Sequence, residues 1–125
     1  MINYILVSIG AAIGGAVRYG LSNYIQKNQS IIFPSGTLLV NITGSFILGI
    51  IMFYLNEKEL ISNELRLFLT VGFCGGFTTF STFSYETIML FRDSEIGLAI
   101  LNIFLNLILC LLGVYLAYLI SKLIG

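Results

Sequence analysis

The stretch Gly72-Phe73-Cys74-Gly75-Gly76-Phe77-Thr78-Thr79-Phe80-Ser81-Thr82-Phe83 lies inside an uncharged run between Arg66 and Glu86. Three glycines within five residues, followed by two threonines, are poor material for an uninterrupted helix. Inside a bilayer, the backbone groups freed by an interruption must bind protein, water or an ion. The stretch therefore predicts a helix break, and it marks the part of the chain where a functional site is expected.

Around this stretch the chain has the composition of a membrane protein. It is 58% hydrophobic and only 10% charged, whereas a soluble domain carries about 25% charged residues. The charges leave four uncharged runs near the roughly 20 residues that a spanning helix needs. We expect an all-α membrane protein, one domain over 1–125, with four transmembrane helices at 3–25, 34–55, 64–91 with a break at 74–79, and 96–122.

The composition argues against an enzyme. The chain has no histidine, and its short loops leave no extramembrane domain that could hold an aqueous active site. Cys74 and Cys110 fall at mid-membrane positions without a CxxC motif, so we interpret them as small apolar side chains. Neither catalysis nor a nucleic-acid partner is expected.

The basic residues do not favour one orientation in the membrane. With four spans, three lie on the side of the N-terminus and three on the opposite side: Lys58, Arg66 and Lys122 against Arg18, Lys27 and Arg92. The positive-inside rule then makes no choice. Either a weak bias is hidden by so few charges, or the chain inserts both ways and pairs as an antiparallel two-fold homodimer.

The first span combines small residues with one arginine. Gly10 and Gly14 are four residues apart, a spacing that lets helix backbones approach closely in a membrane, and we expect them to serve packing. Arg18 continues the same face. It either extends to the interface or lines a wet vestibule where it attracts anions, and the vestibule is slightly favoured. Glu86 could line an entrance or extend to the interface.

Polar side chains recur along one face of the second span and one face of the fourth. Asn41 lies between Thr37 and Ser45 at four-residue spacing, and its amide needs partners in lipid. It could form an interhelical hydrogen bond worth about 1 kcal/mol or line an ion path, which we favour. On the fourth span, Asn102, Asn106 and Cys110 share a spacing that suits either a polar lining or dimer contacts.

Phe80 and Phe83 lie three residues apart on one helix face, beside the hydroxyls of Ser81 and Thr82. Aromatic rings are electropositive at their edges. Two ring edges and two hydroxyls could therefore face a small anion, although phenylalanines in a membrane helix often only pack or face lipid.

Three stretches carry a family resemblance: Gly14-Gly15-Ala16-Val17-Arg18-Tyr19, Gly36-Thr37-Leu38-Leu39-Val40-Asn41, and the Gly72–Phe83 stretch itself. Together they resemble the three signatures of the Fluc/CrcB fluoride channels. The third signature is long and specific, and the similarity covers essentially the whole chain.

This resemblance implies an antiparallel, dual-topology homodimer with two fluoride pores in a cytoplasmic membrane of the bacterial type. Passive efflux of fluoride is the implied role. A structural sodium ion is implied at the dimer centre, held by backbone carbonyls at the matching positions Gly75 and Thr78.

The resemblance also assigns the pore. Asn41 matches the pore asparagine, Phe80 and Phe83 match the stacked pore phenylalanines, and Ser81 and Thr82 match the adjacent hydroxyl positions. Arg18 and Glu86 match vestibule residues. The fourth helix departs from the family, which has a hydroxyl track and a tyrosine where this chain has Asn102, Phe104, Asn106 and Cys110.

Two other functions fit the same outline. A small dual-topology multidrug or cation exporter would also have four spans and balanced charge. It would need a membrane-buried acid for proton exchange, and Glu86 is the only candidate, so this alternative is weaker. A non-transporting assembly protein would show no ion flux at all.

Overall fold

The computed structural model describes all residues from Met1 to Gly125 and is entirely helical apart from its short connections. Four helical spans are long and apolar enough to cross a membrane: Ile2–Lys27, Ser35–Asn56, Asn63–Arg92 and Ile96–Ile124. The expected all-helical, four-span membrane architecture is confirmed.

Two of the spans change helix type along their length. The second is α-helical over Ser35–Ile50 and π-helical over Ile51–Asn56. The third is α-helical over Asn63–Leu67 and Gly75–Phe77, with a π-helix over Phe68–Cys74 between them. The sequence pattern predicted ordinary helix here. Within the π-helix of the third span, the Thr70 hydroxyl donates to the Arg66 carbonyl over 2.7 Å, a type of bond that often bends helices.

The third span has no helical backbone at Thr78 and Thr79, which we call the break. The helix ends at Phe77, both threonines are extended (φ −92°, ψ 158° and φ −152°, ψ 118°), and helix resumes over Phe80–Arg92. The sequence pattern predicted a wider interruption, over 74–79. Gly75 and Gly76 instead remain helical.

Glycines bring the first span and the third into backbone contact. A Cβ on Gly14 would overlap the Phe73 carbonyl oxygen, one on Gly10 would overlap the Phe68 carbonyl oxygen, and one on Gly76 would lie 2.5 Å from the Ala11 carbonyl oxygen. The predicted packing role of Gly10 and Gly14 is confirmed. Gly76, which the sequence assigned to the break, serves this contact instead.

Polar side chains are concentrated inside the subunit. The second span packs mainly on the fourth, and the buried polar residues include Asn41, Thr87, Asn102 and Asn106. Many large apolar side chains of the first and fourth spans are exposed. This distribution suits a lipid surround, where apolar side chains need no burial and buried polar groups must find partners within the protein.

Candidate functional site

Asn41 holds the backbone of the break in its extended form. Its Oδ1 accepts from the Thr79 backbone N–H over 2.8 Å, and its Nδ2 donates to the Thr79 carbonyl over 3.1 Å. The carboxamide thus binds both backbone groups of one extended residue, as a neighbouring β-strand would. In a continuous helix the Thr79 N–H would return to the Gly75 carbonyl. Asn41 therefore replaces the helical bond lost at the break.

The same asparagine is joined to the fourth span. Its Nδ2 donates to Asn106 Oδ1 over 3.1 Å, and Asn106 Nδ2 donates to Asn102 Oδ1 over 2.9 Å. Asn102 Nδ2 donates to Thr87 Oγ1 over 2.9 Å, and Thr87 Oγ1 donates to the Phe83 carbonyl over 2.8 Å. A buried chain of side chains therefore connects the break to the middle of the following helix.

Phe80 and Phe83 stand at the start of the helix that follows the break. Thr79 Oγ1 accepts from the Thr82 N–H over 3.1 Å and caps this helix. The two ring centroids are 5.3 Å apart, with an interplanar angle of 58°. Phe80 is 79% exposed in the isolated subunit, and Phe83 is half-buried. The break thus presents two tilted rings beside a helix N-terminus, where the macrodipole is positive.

Two cavities meet at Thr79. A groove of about 520 Å³ is bordered by residues of the second, third and fourth spans, among them Asn41, Thr78, Thr79, Phe80, Phe83 and Asn106. A smaller and more polar vestibule of about 190 Å³ is bordered by Arg18, Ser22, Thr37, Thr79, Thr82 and Glu86, among others. Thr79 borders both cavities, so it is the residue at which the vestibule and the groove with the two phenylalanines adjoin.

Arg18 and Glu86 face the vestibule, but no ion pair joins them. Arg18 Nε donates to the Gly76 carbonyl over 3.1 Å, at the C-terminal end of the helical segment before the break, where a cation is favoured by the helix dipole. Glu86 Oε1 is buried without a hydrogen-bond partner. The vestibule therefore combines one anchored cation with one carboxylate oxygen free to accept.

Gly75 and Thr78 lie together on the groove. Gly75 is exposed, and its carbonyl has lost the Thr79 N–H to Asn41. Backbone carbonyls of this kind suit a hard cation. The chain has no cluster of three or more His, Cys, Asp or Glu side chains that could hold a metal, so any cation here would depend on carbonyl oxygens.

The residues predicted from the sequence fall into two groups and one outlier. Asn41, Gly75, Thr78, Phe80 and Phe83 border the groove, whereas Arg18, Thr82 and Glu86 border the vestibule. Ser81 borders neither cavity and is exposed, with its Oγ 3.3 Å from Thr79 Oγ1.

Thr79 and Thr87 make central contacts, although the sequence pattern predicted no role for either. Thr79, Phe83 and Thr87 recur at four-residue spacing and could have been recognised as one face. The partner of that face lies on the distant fourth span and is not visible in the local pattern.

Comparison with known proteins agrees with this architecture. Residues 5–118 match the profile of a family described as CrcB-like protein, Camphor Resistance (CrcB). A fluoride-specific ion channel of Koribacter versatilis is 43% identical over 111 residues, 89% of this chain and 88% of the relative. Counterparts are 46% identical over 115 residues in Thermus thermophilus (92% and 90% coverage) and 42% over 125 residues in Ruminiclostridium cellulolyticum (100% and 96%). With four spans, a break in the third and a match over nearly its full length, the chain belongs to the CrcB-like family of membrane proteins.

Proposed function

We propose that this protein is a fluoride-specific ion channel that lets fluoride leave the cell passively, and that it is not an enzyme. The observation that carries this function is the match to relatives named fluoride-specific ion channel at 42–46% identity over 89–100% of this chain. The geometry at Thr79, where a polar vestibule meets a groove with two phenylalanine rings, supports it.

In this proposal the anion enters through the vestibule and passes the break. Arg18 raises the local anion concentration by its charge. Thr82 then offers a hydroxyl donor, with the Ser81 hydroxyl nearby but outside both cavities of the isolated subunit, and the edges of Phe80 and Phe83 offer weak positive charge. Asn41 borders the same route from the second span.

The groups named along this route, a hydroxyl and two ring edges, are individually weak donors, which suits fluoride. Fluoride is small and strongly hydrated, so a passage must replace its water without binding it too tightly to leave. A lysine at the narrow part would trap the ion, and none lies between Lys58 and Lys122. Chloride, being larger, is excluded by size.

The subunit acts as an antiparallel, dual-topology homodimer in the bilayer of a bacterial-type cytoplasmic membrane, with two pores. The even division of basic residues between the two sides permits both orientations. The groove is open in the isolated subunit, and Phe80 is 79% exposed beside polar groups. A second copy over this face would enclose the groove together with the polar groups that border it, which need partners in a lipid environment.

A sodium ion at the dimer centre would fit the carbonyls at Gly75 and Thr78. One subunit supplies two such carbonyls, and a two-fold axis supplies two more, giving an all-oxygen site for a hard cation. When bound, the ion would neutralise these carbonyl dipoles and join the two breaks.

The exporter alternative is not favoured. The matched relatives are named as fluoride channels. Glu86, the one acid it could use for proton exchange, shares the vestibule with Arg18, and a nearby cation would oppose the binding of a cationic drug.

The experiment measures fluoride release from proteoliposomes with a fluoride electrode, with chloride release as the selectivity control. We expect Phe80→Ile and Phe83→Ile each to lower fluoride release by at least about tenfold, since the loss of roughly 1.4 kcal/mol of ion stabilisation gives that factor. Size-exclusion chromatography should show the same dimer as the wild-type protein. Normal fluoride release by both variants, or equal release of chloride by the wild type, would contradict the proposal.

A further inference from the structure

The buried series of hydrogen-bonded side chains from Asn41 to Thr87 has only one possible hydrogen-bond direction, because a backbone group stands at each of its ends. At one end the Thr79 N–H can only donate, so Asn41 must present Oδ1 to it and Nδ2 to the fourth span. At the other end the Phe83 carbonyl can only accept, so Thr87 must donate to it and accept from Asn102. The two conditions fix the orientation of all three carboxamides.

Every amide of this chain therefore points its donor the same way, from Asn41 to Asn106 to Asn102 to Thr87. Such head-to-tail hydrogen bonds polarise one another in a low dielectric. Turning over one carboxamide would set donor against donor and acceptor against acceptor at its neighbours. The chain acts as a unit, and its loss at one point is felt at the others.

Asn102 fits neither of the two roles that the sequence left open for the fourth span, which are a polar pore lining and a dimer contact. Asn102 is 1% exposed in the isolated subunit, so a second subunit cannot reach its side chain. It also borders neither the groove nor the vestibule. It is thus neither part of a pore lining nor a dimer contact, yet its side-chain amide is bonded at both ends.

Asn41 and Asn106 donate both of their amide hydrogens to groups within the subunit. Asn41 Nδ2 donates to the Thr79 carbonyl and to Asn106 Oδ1. Asn106 Nδ2 donates to the Asn102 carbonyl over 3.0 Å and to Asn102 Oδ1 over 2.9 Å. Both hydrogens of each group are matched by two acceptors within the protein.

We infer that Asn106, Asn102 and Thr87 are positioning residues that act through Asn41 to lock the extended backbone at Thr79, and with it the start of the helix that carries Phe80 and Phe83. Thr79 is held by both its N–H and its carbonyl, and the Phe83 carbonyl is held by the far end of the chain. The two points that fix the phenylalanines are thereby tied to each other through the fourth span.

Two readouts test the inference on the full-length protein. Fluoride release from proteoliposomes rests on the proposed function, whereas hydrogen–deuterium exchange of the amides at 78–83 does not. We expect Asn106→Leu and Asn102→Leu to lower release by at least about tenfold and to speed this exchange by about tenfold, roughly the effect of losing one to two buried hydrogen bonds. Combining the two substitutions should be no worse than Asn106→Leu alone, because the chain is already cut.

Thr87 allows a matched pair of substitutions, one that removes its hydroxyl and one that keeps it. Thr87→Val removes the hydroxyl at nearly constant size and should produce a smaller decrease, about threefold, in the same two readouts; Thr87→Ser keeps the hydroxyl and should restore both. Ser121→Ala is the control for a buried hydroxyl on the fourth span, since Ser121 bonds only the nearby Tyr118 carbonyl. It should change neither readout.

The outcomes are distinguishable. Faster exchange at 78–83 in the leucine variants, together with a wild-type protein that releases no fluoride, would support the inference and reject the proposed function. Reduced release with unchanged exchange at 78–83 would overturn the inference in favour of direct contact with the ion. If both leucine variants fail to fold, unchanged release and exchange in Thr87→Val overturn it, and the graded loss with serine rescue supports it.

Discussion

The third span is held by different kinds of contact on the two sides of its break. We call Phe68–Phe77 its first half and Phe80–Arg92 its second half. The first half meets the first span through glycines, with backbone against backbone at Gly10, Gly14 and Gly76. The break and the second half are instead hydrogen-bonded to asparagines: Asn41 of the second span binds the Thr79 backbone, and Asn102 of the fourth span donates to Thr87. Close packing depends on volume, whereas a hydrogen-bonded carboxamide depends on the placement of donors and acceptors. The two halves should therefore fail in different ways.

The largest expected effect is at the packed half. Gly14→Val would place side-chain atoms on the Phe73 carbonyl, which is backbone and cannot turn aside. Overpacking of this kind costs about 1–3 kcal/mol or more. We expect loss of most of the monodisperse protein on size-exclusion chromatography.

The adjacent Gly15→Val is the matched control, because a Cβ at Gly15 has no atom within 4 Å. It should give wild-type yield. Equal yields from the two variants would show that the packed half does not depend on volume, and the contrast with the other half would then fail.

The next effect is at the hydrogen-bonded half. Asn41→Leu keeps the approximate size but leaves the Thr79 N–H and carbonyl without partners, at about 1–3 kcal/mol for each buried group. We expect folded protein in normal yield, with fluoride release from proteoliposomes lowered about a hundredfold.

Ser45→Ala, one turn further on the same face, is the comparison for Asn41→Leu and should retain at least about half of the release, because a single weak donor is worth about 1 kcal/mol or less. If Asn41→Leu abolished folding instead of release, Asn41 would be part of the packing and the contrast between the halves would be lost.

The smallest expected effect on fluoride release is at Arg18. This residue donates a hydrogen bond to the Gly76 carbonyl in the first half. Arg18→Gln removes the charge but keeps an amide donor. We expect release to fall by about two- to fivefold, because only the attraction of anions is lost. The remaining release should depend less on ionic strength, since attraction by an exposed charge is screened by salt. Initial rates between about 0.02 and 0.3 M salt measure this, and an unchanged salt dependence would remove Arg18 from the entry step.

The sequence anticipated the outline of the site better than its contacts. Hydrophobic runs separated by charges determine the spans, and local chemistry at Gly72–Phe83 indicated an irregular backbone. The pattern spread the break over 74–79 because glycine has two uses, freedom of the backbone and close packing. At Gly76 the use is packing against Ala11, which depends on where the first span lies.

The fourth span shows the same limit more sharply. Asn102 and Asn106 share a helix face, and the sequence could not choose between a lining and a dimer contact. Their partners are Thr87, 15 residues away, and Asn41, 65 residues away. Spacing along one helix reports which side chains are neighbours on that helix, but not which distant group they meet.

By itself, then, the sequence determined that this chain is an all-helical membrane protein with four spans and an irregular stretch in the third. These features follow from hydrophobicity and local backbone preference, which act within a few residues. The tertiary structure decided that Gly72–Phe83 divides at two threonines, that Gly76 belongs to packing, and that three asparagines form one directed chain. Those features depend on close approach and hydrogen-bond direction between spans, and both exist only once the helices are packed together.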